Sequence, residues 1–429
     1  MEGSCCDGGG TLTSILADPH QAKAAYRLFD GSTVTHDAVL AGHMEWVDQQ
    51  LAQAGTYLLI EDTTAAAFHS RTQANGLGPI GESFTLGFFL HNTLAVRWDE
   101  DTNDCQVLGL HGQKIWARPP TARHRKTQGR KKRQATYARQ RRADRESMRW
   151  AQTLDRLSTP SALVRHIYVA DRESDIYEVF QTCRSCGVSQ VIRASQPRAL
   201  VGEFEGENVF STLAFAEVLG TVPVEISREN RIAQIEIRGI TVTLRGPARP
   251  GGKLEDLTLN LVQASEINPP PGCTAVSWTL MTDLPVQTLE QCRRILNIYR
   301  HRWLIEEFHK AMKTGLKLQD SQLSDYRRLG ALAGIISVAA VFLLQVKSTA
   351  RTHTDTPLPN EQQQTPMVKI LRKLHPPQGP LTCRWLWTSI AKLGGFMARK
   401  GDGDPGWLVL WRGWQTLLHL LRGYELQLE

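Results

Sequence analysis

No stretch of this 429-residue chain stays apolar over the ~20 positions that a membrane-spanning helix needs. The nearest is LGALAGIISVAAVFLL, residues 329–344, closed off by Arg328 and Gln345; its length predicts a buried core helix. A basic-then-apolar leader is lacking too: the chain opens on MEGSCCDGGG, so no signal peptide is expected. Cysteine is scarce and irregularly placed, at positions 5, 6, 105, 183, 186, 273, 292 and 383, which excludes a disulfide framework and suits a reducing compartment. Cys183 and Cys186 have the spacing of half a zinc site, but there is no second pair and both fall in a predicted helix, so zinc is not expected. No internal repeat is present.

What the chain has is 41% hydrophobic residues, enough for two or three domains or one elaborated domain, and a net charge of +7. That charge admits an acidic partner such as nucleic acid without requiring one. Its distribution says more. Between Arg118 and Arg149 lie 13 Lys or Arg, introduced by Pro119-Pro120. The pattern predicts a flexible loop running into a helix that ends near Leu157. Phosphate contact, a merely solvated charged loop and a localisation-like patch are its readings.

Elsewhere the chain alternates strand and helix signals. Residues 21–55 read helical. TYLLIED (56–62) is a short apolar run ending on acids, the pattern of a buried strand. FTLGFFL, TLAVRW and CQVLGL then read as three strands of a meander, with His91-Asn92 and Asp101 to Asp104 as turns. HIYVAD (166–171), a helix from about Ser174 to Cys186 and QVIRAS (190–195) make strand, helix, strand, the α/β signature. Residues 197–275 read as a mostly β block, and from about Thr288 onward the chain is mainly helical. The tail carries Trp407, Trp411 and Trp414 at spacings of 4 and 3, an apolar stripe suited to a core or an oligomer contact.

Three acids attract attention as chemistry. Asp62 and Asp171 each end a predicted strand, where α/β proteins open the crevice that binds ligands. Adjacent, they could share a divalent cation; singly, each is an ordinary turn acid. YRHRWLIEEFHKAMKTG (299–315) predicts a helix with Tyr299, Arg302, Glu306, Lys310 and Lys313 at spacings of 3, 4, 4 and 3, all on one face. Glu306 is an oxygen ligand for a hard cation such as Mg²⁺, and the Arg and Lys residues grip phosphate oxygens. A solvated face with i,i+4 ion pairs is the plain alternative.

The same run, YRHRWLIEEFHKAMK, resembles the Y-x2-R-x3-E-x6-K signature of the insertion-sequence-four family of bacterial cut-and-paste transposases. IEDTT (60–64) and ADRESDI (170–176) are similar to the family's first and second Asp motifs. EINPPPGCTAVSW (266–278) and IAKLGGFM (390–397) match in order, so the resemblance covers roughly residues 20–429. It implies an α/β, ribonuclease-H-like catalytic core over residues 56–347, a mixed sheet with flanking helices. A β-rich insertion at about 197–275 and a helical dimerisation region at 348–429 go with it.

By motif position the resemblance makes Asp62, Asp171 and Glu306 the metal-binding catalytic triad, holding two Mg²⁺ ions for which Mn²⁺ can substitute. Glu307 is adjacent, but the spacing from Arg302 selects Glu306. Tyr299, Arg302, Lys310 and Lys313 are implied to contact DNA near the cleaved end. Trp278, 21 residues before Tyr299, falls where the family stacks a flipped base; a core Trp in AVSWTLM is the equal alternative. In that setting Arg130, Lys131, Lys132 and Arg133 of the basic run become candidate phosphate contacts. The implied activity is hydrolysis at transposon ends and strand transfer into target DNA, by a homodimer in a synaptic complex on duplex DNA. No membrane partner is implied, and the place of action is the bacterial cytoplasm, at the nucleoid. The resemblance starts near AKAAYRLF (22–29), inside the family's N-terminal end-reading region. It therefore implies that residues 1–55 are a shortened remnant of that region. On that implication the alternative to an active transposase is an end-blind member that inhibits transposition or is an inactive relic.

Overall fold

The computed structural model describes residues 19–68, 75–81, 85–119, 145–154, 157, 160–226, 229, 231–323, 325–352 and 355–425. In chain order the elements are α1 (Pro19–Asp30), α2 (His36–Leu51), β1 (Gly55–Phe68), β2 (Gly78–Pro79), β3 (Leu86–Trp98), β4 (Cys105–Trp116), α3 (Arg149–Leu154), β5 (Val164–Ala170), α4 (Tyr177–Cys186) and β6 (Ser189–Arg193). There follow β7 (Leu200–Val201), β8 (Val218–Ile226), β9 (Arg231–Leu244), β10 (Ala248–Arg249), β11 (Gly252–Lys253), β12 (Leu257–Glu266) and β13 (Ser277–Thr282). The last part is helical: α5 (Leu289–Arg300), α6 (Trp303–Lys310) with a π-helical turn (Ala311–Gly315), α7 (Tyr326–Thr352), α8 (Asn360–Gln363), α9 (Pro366–Leu374), α10 (Cys383–Leu393) and α11 (Trp407–Glu425).

Eleven strands form one mixed sheet. Antiparallel β4, β3 and β1 are followed by parallel β5 and β6, an order consistent with a ribonuclease-H-like core. The sheet continues through β13, β12, β9 and β7, so the β-rich block lengthens it rather than standing apart. The pleat sends alternate residues to opposite faces. Leu58, Ile60, Ile167 and Val169 bury against α5, α6 and α7, whereas Tyr168 and Ala170 bury with Trp150 of α3 and Phe180 of α4. Because β1 and β5 are covered on both faces, their runs read as almost continuously apolar.

Three local expectations are corrected. FTLGFFL and TLAVRW are halves of one strand, β3, and His91-Asn92 sits buried in its middle instead of turning. Polar residues there imitate a turn in the sequence, but Thr63 meets His91 Nδ1, Gln113 and His309 take up the Asn92 amide, and His91 Nε2 stands 3.4 Å from Glu61. β1 likewise does not end at Asp62; it runs on to Phe68, paired with β3 as far as Leu86. The helix expected from Ser174 starts at Tyr177 and ends on Gly187, whose left-handed φ of 68° terminates it.

The apolar run at 329–344 lies inside the longer helix α7. Among the described residues it is the one helix long and apolar enough to cross a membrane, and 61% of its most apolar window is buried inside the protein. Gly330 and Gly334 let α2 and β4 approach closely: a Cβ at Gly330 would stand 2.6 Å from Ile115, and one at Gly334 3.1 Å from Val39. At its start, Arg327 donates to the carbonyls of Phe29 (2.9 Å), Gly31 (2.7 Å), Asp30 and Val34 (both 3.3 Å), capping the C-terminus of α1. A cation on otherwise unmet carbonyls is stabilising. Arg327→Ala should lower unfolding stability by about 2 kcal/mol in urea titrations, with early loss of amide-exchange protection in α1.

Candidate active site

The parallel register of β1 and β5 closes on Glu61 opposite Ala170. The next residue on each chain is an aspartate, so Asp62 and Asp171 emerge side by side. Alternation puts both on the face covered by α5 and α6. Asp171 then caps a short 3₁₀ turn, accepting from the Glu173 N–H at 2.8 Å. Asp62 accepts the Thr63 N–H at 2.7 Å. Burial, and then the charge of Asp171, push the Asp62 carboxyl up to about 7 against the pull of the Thr63 N–H and of Arg302. Burial and Asp171 likewise raise Glu173. Two carboxylates this close, in a partly closed site, disfavour each other's charge.

Above them the predicted continuous helix is broken. α5 stops at Arg300 and α6 starts at Trp303, joined by tight bonds from His301 N to Ile298 O (3.1 Å) and Arg302 N to Tyr299 O (3.0 Å). Neither Pro nor Gly marks the break, so the sequence gives no warning of it. The five residues still gather near one edge. Tyr299 is buried at the end of α5, and burial raises its hydroxyl. Arg302 donates to Glu306 at 2.5 Å and lies close enough to Asp62 and Asp171 to act on both. Lys310 is exposed. Lys313, in the π-helical turn, is half-buried; burial lowers its ammonium while Asp62 opposes the shift. Glu307 is engaged away from the site, with Lys347 of α7 at 2.6 Å.

Trp278 is half-buried, and its ring meets Tyr299 edge-on at 5.3 Å. Arg193, which the sequence hid in the strand QVIRAS, joins this group. It bonds the Tyr299 side chain and donates to Ser277 O at 2.9 Å. Its only sequence signal was a lone cation at the end of an apolar strand.

A buried polar layer lies under the aspartates on the opposite face. Glu61, fully enclosed, accepts from Thr93 Oγ1 (2.6 Å), Tyr168 OH (2.6 Å) and Thr153 Oγ1, with His91 Nε2 at 3.4 Å. Burial disfavours its charge, yet His91 and the two threonine hydroxyls hold the carboxyl below its usual value. Thr63 meets His91 Nδ1 at 2.8 Å, and Tyr168 meets Ser174 Oγ at 2.9 Å. The layer thus ties the residue after Asp62 to the turn that carries Asp171. His309 of α6 is buried, with Nδ1 3.7 Å from Asp62 Oδ2; burial drives its ring down to about 3, so it is neutral.

The remaining candidates are dispersed. Arg130, Lys131, Lys132 and Arg133 lie outside the described residues. Cys183 is buried in α4, where burial raises its thiol far above the usual value. The Trp stripe of α11 turns inward: Trp407 packs on Gly315, and Trp411 Nε1 donates to Gly315 O at 2.9 Å, bracing the π-helical turn that carries Lys313. Trp414 packs within the α9–α11 cluster.

As a donor set for a metal, Asp62 and Asp171 fit: hard oxygens, side by side, mutually repelling and in need of a cation. Glu306 is engaged by Arg302, and no group of three or more His, Cys, Asp or Glu able to hold a metal ion is assembled among the described residues. A family model described as a transposase DDE domain matches residues 106–343, more than half of the chain. Asp171 and Glu306 fall within the match, and Asp62 precedes it.

Proposed function

We propose, for a chain that belongs to the DDE transposase family, that it cuts DNA at transposon ends and joins the freed ends to target DNA, with Asp62, Asp171 and Glu306 as the carboxylates of the reaction. The observation that carries this is the emergence of Asp62 and Asp171 at one level of two parallel strands, with Glu306 and Arg302 above. The motifs at these positions favour the insertion-sequence-four branch, near the transposase of the kanamycin-resistance composite transposon. The ions implied are two Mg²⁺, or Mn²⁺ in their place. When bound, they supply activation of the attacking water and charge stabilisation on the leaving 3′ oxygen.

The chain's own residues do the rest. Asp62 and Asp171 present oxygens from rigid strands. Glu306 belongs with them, and the Arg302 guanidinium that neutralises it is the group best shaped for a phosphate. Arrival of the scissile phosphate offers Arg302 a stronger partner and releases Glu306 toward the aspartates. Lys313 and Lys310 continue the positive edge along the backbone of the DNA. Tyr299, Trp278 and Arg193 form a recess of ring and guanidinium faces fit to stack an unpaired base. Water attacks phosphorus and the 3′ oxygen departs. The resulting 3′ hydroxyl is the next nucleophile, first on the opposite strand and then on target DNA, so no covalent enzyme intermediate is needed.

In this reading β7 to β12 are the β-rich insertion of a catalytic unit spanning 56–347. Residues 1–55 belong to a DNA-binding region, and 348–429 pair two protomers on duplex DNA in the bacterial cytoplasm. The basic run, with Arg130 to Arg133, adds sequence-neutral phosphate contacts. The test is strand nicking of a duplex carrying the element's terminal repeats, with Mg²⁺. Asp171→Ala and Glu306→Ala should each lower the rate by about a thousandfold or more, with DNA retained in gel-shift assays. Undiminished nicking by Glu306→Ala would remove that residue from the triad.

A further inference from the structure

A line of polar contacts runs from Asp62 through the core to the surface. His309 Nδ1 faces Asp62 Oδ2 at 3.7 Å. His309 Nε2 meets Asn92 Nδ2 at 2.9 Å, and Asn92 Oδ1 accepts from Gln113 Nε2 at 2.5 Å. Gln113 Oε1 then meets His36 Nε2 at 2.8 Å, and His36 Nδ1 meets Asp37 Oδ1 at 2.8 Å in the first turn of α2. His309, Asn92, Gln113 and His36 are all buried, while the Asp37 side chain is 94% exposed.

The direction of the line is fixed at Asn92. Asn92 Nδ2 also donates to Leu90 O at 3.3 Å, which orients its amide. That leaves Asn92 Oδ1 to accept, so Gln113 turns its Nε2 toward it; Ser337 Oγ, 2.9 Å from Gln113 Nε2 and 3.2 Å from Gln113 Oε1, favours neither end of this second amide. With the Asn92 amide set, His309 Nε2 accepts, and the proton of the neutral ring sits on Nδ1, the nitrogen 3.7 Å from Asp62 Oδ2. An apolar core would serve stability at least as well as four buried polar side chains. What apolar residues cannot give is a donor of fixed direction beside Asp62.

We infer that His309 is a positioning residue for Asp62, and that Asn92, Gln113 and His36 hold its ring in the one orientation that presents Nδ1–H to Oδ2. The inference rests on the reading of Asp62 as a metal-holding carboxylate. Second partners of this kind orient ligands, and their loss weakens metal affinity by about 10–100-fold. Mn²⁺ binding to the full chain is therefore measured by calorimetry, alongside the melting temperature. Gln113→Leu, three contacts from Asp62, is expected to weaken Mn²⁺ binding about tenfold. Ser337→Ala, which touches Gln113 but lies off the line, is expected to leave it unchanged. His309→Gln, which keeps a donor toward Asp62, should retain more affinity than His309→Leu.

Asp62→Asn sets the reference: if that variant binds Mn²⁺ like the parent, the reading of the site fails, whatever the line does. If Asp62→Asn loses Mn²⁺ while Gln113→Leu melts earlier but binds normally, the line is only structural and the inference falls. Equal affinities for the two His309 variants, or equal losses for Ser337→Ala and Gln113→Leu, overturn it as well.

Discussion

Asp62→Asn is expected to abolish DNA cleavage and, in the same protein, to raise the melting temperature measured without divalent metal. The carboxyl sits beside Asp171 in a site closed enough that burial and that neighbour lift it from 3.8 to about 7. A carboxyl raised on folding works against the fold. Between about pH 4 and 7 the folded state keeps a proton that the unfolded chain has released, so stability falls across that window. Above it the whole penalty is present. Removing the charge should therefore return about 2–4 kcal/mol at pH 8 and little at pH 4, read by thermal denaturation at the two pH values. Mg²⁺ should stabilise the parent more than the variant, because the variant keeps only Asp171 of the paired carboxylates. A gain absent at pH 8 or equal at both pH values would count against the buried, repelled charge of Asp62 as the cause. On the proposed reading of the site, the variant trades activity for stability.

One residue earlier the expected sign reverses. Glu61→Ala should lower unfolding stability by about 3–5 kcal/mol, measured by urea denaturation, although Glu61 is placed in no step of the reaction. Its carboxylate is the shared acceptor for Thr93, Thr153 and Tyr168, and His91 stands 3.4 Å away. Truncation leaves all of these buried groups facing a void. Unmet buried donors cost more than a lost contact, and the cavity adds to the loss. Glu61→Gln fills the space and keeps one acceptor oxygen, so it should cost less than half as much. Similar losses for the two variants would show that volume matters more than the hydroxyls.

The pair Glu61-Asp62 illustrates what the sequence disclosed and what it concealed. Two consecutive acids at the end of an apolar run were by themselves ordinary, and only the motifs around Asp62, Asp171 and Glu306 made one candidate site of them. They did not announce that the pleat points the two side chains to opposite faces, one toward the α6 side and one into the core. The α/β class and the β-rich block were legible from periodicity. The union of 86–98 into one strand was not, because His91 and Asn92 look like turn residues until their partners at Thr63 and His309 are in place. The break at His301-Arg302 escaped for the opposite reason: every residue there is compatible with helix, and the tertiary packing of α5 and α6 decides it. Arg193 carried no motif, and only the neighbouring Tyr299 gives it meaning.

Helix α7 has a mechanical role that its apolar sequence conceals. Its first turn holds α1 through Arg327, its two small residues admit α2 and β4, and its far end grips α6 through Lys347 and Glu307. Over 27 residues it reaches about 40 Å. It is a keel to which the N-terminal helices and the helix carrying Glu306 are both fastened. α1, α2 and α6 are thus all attached to one continuous helix, with no loop between their points of attachment.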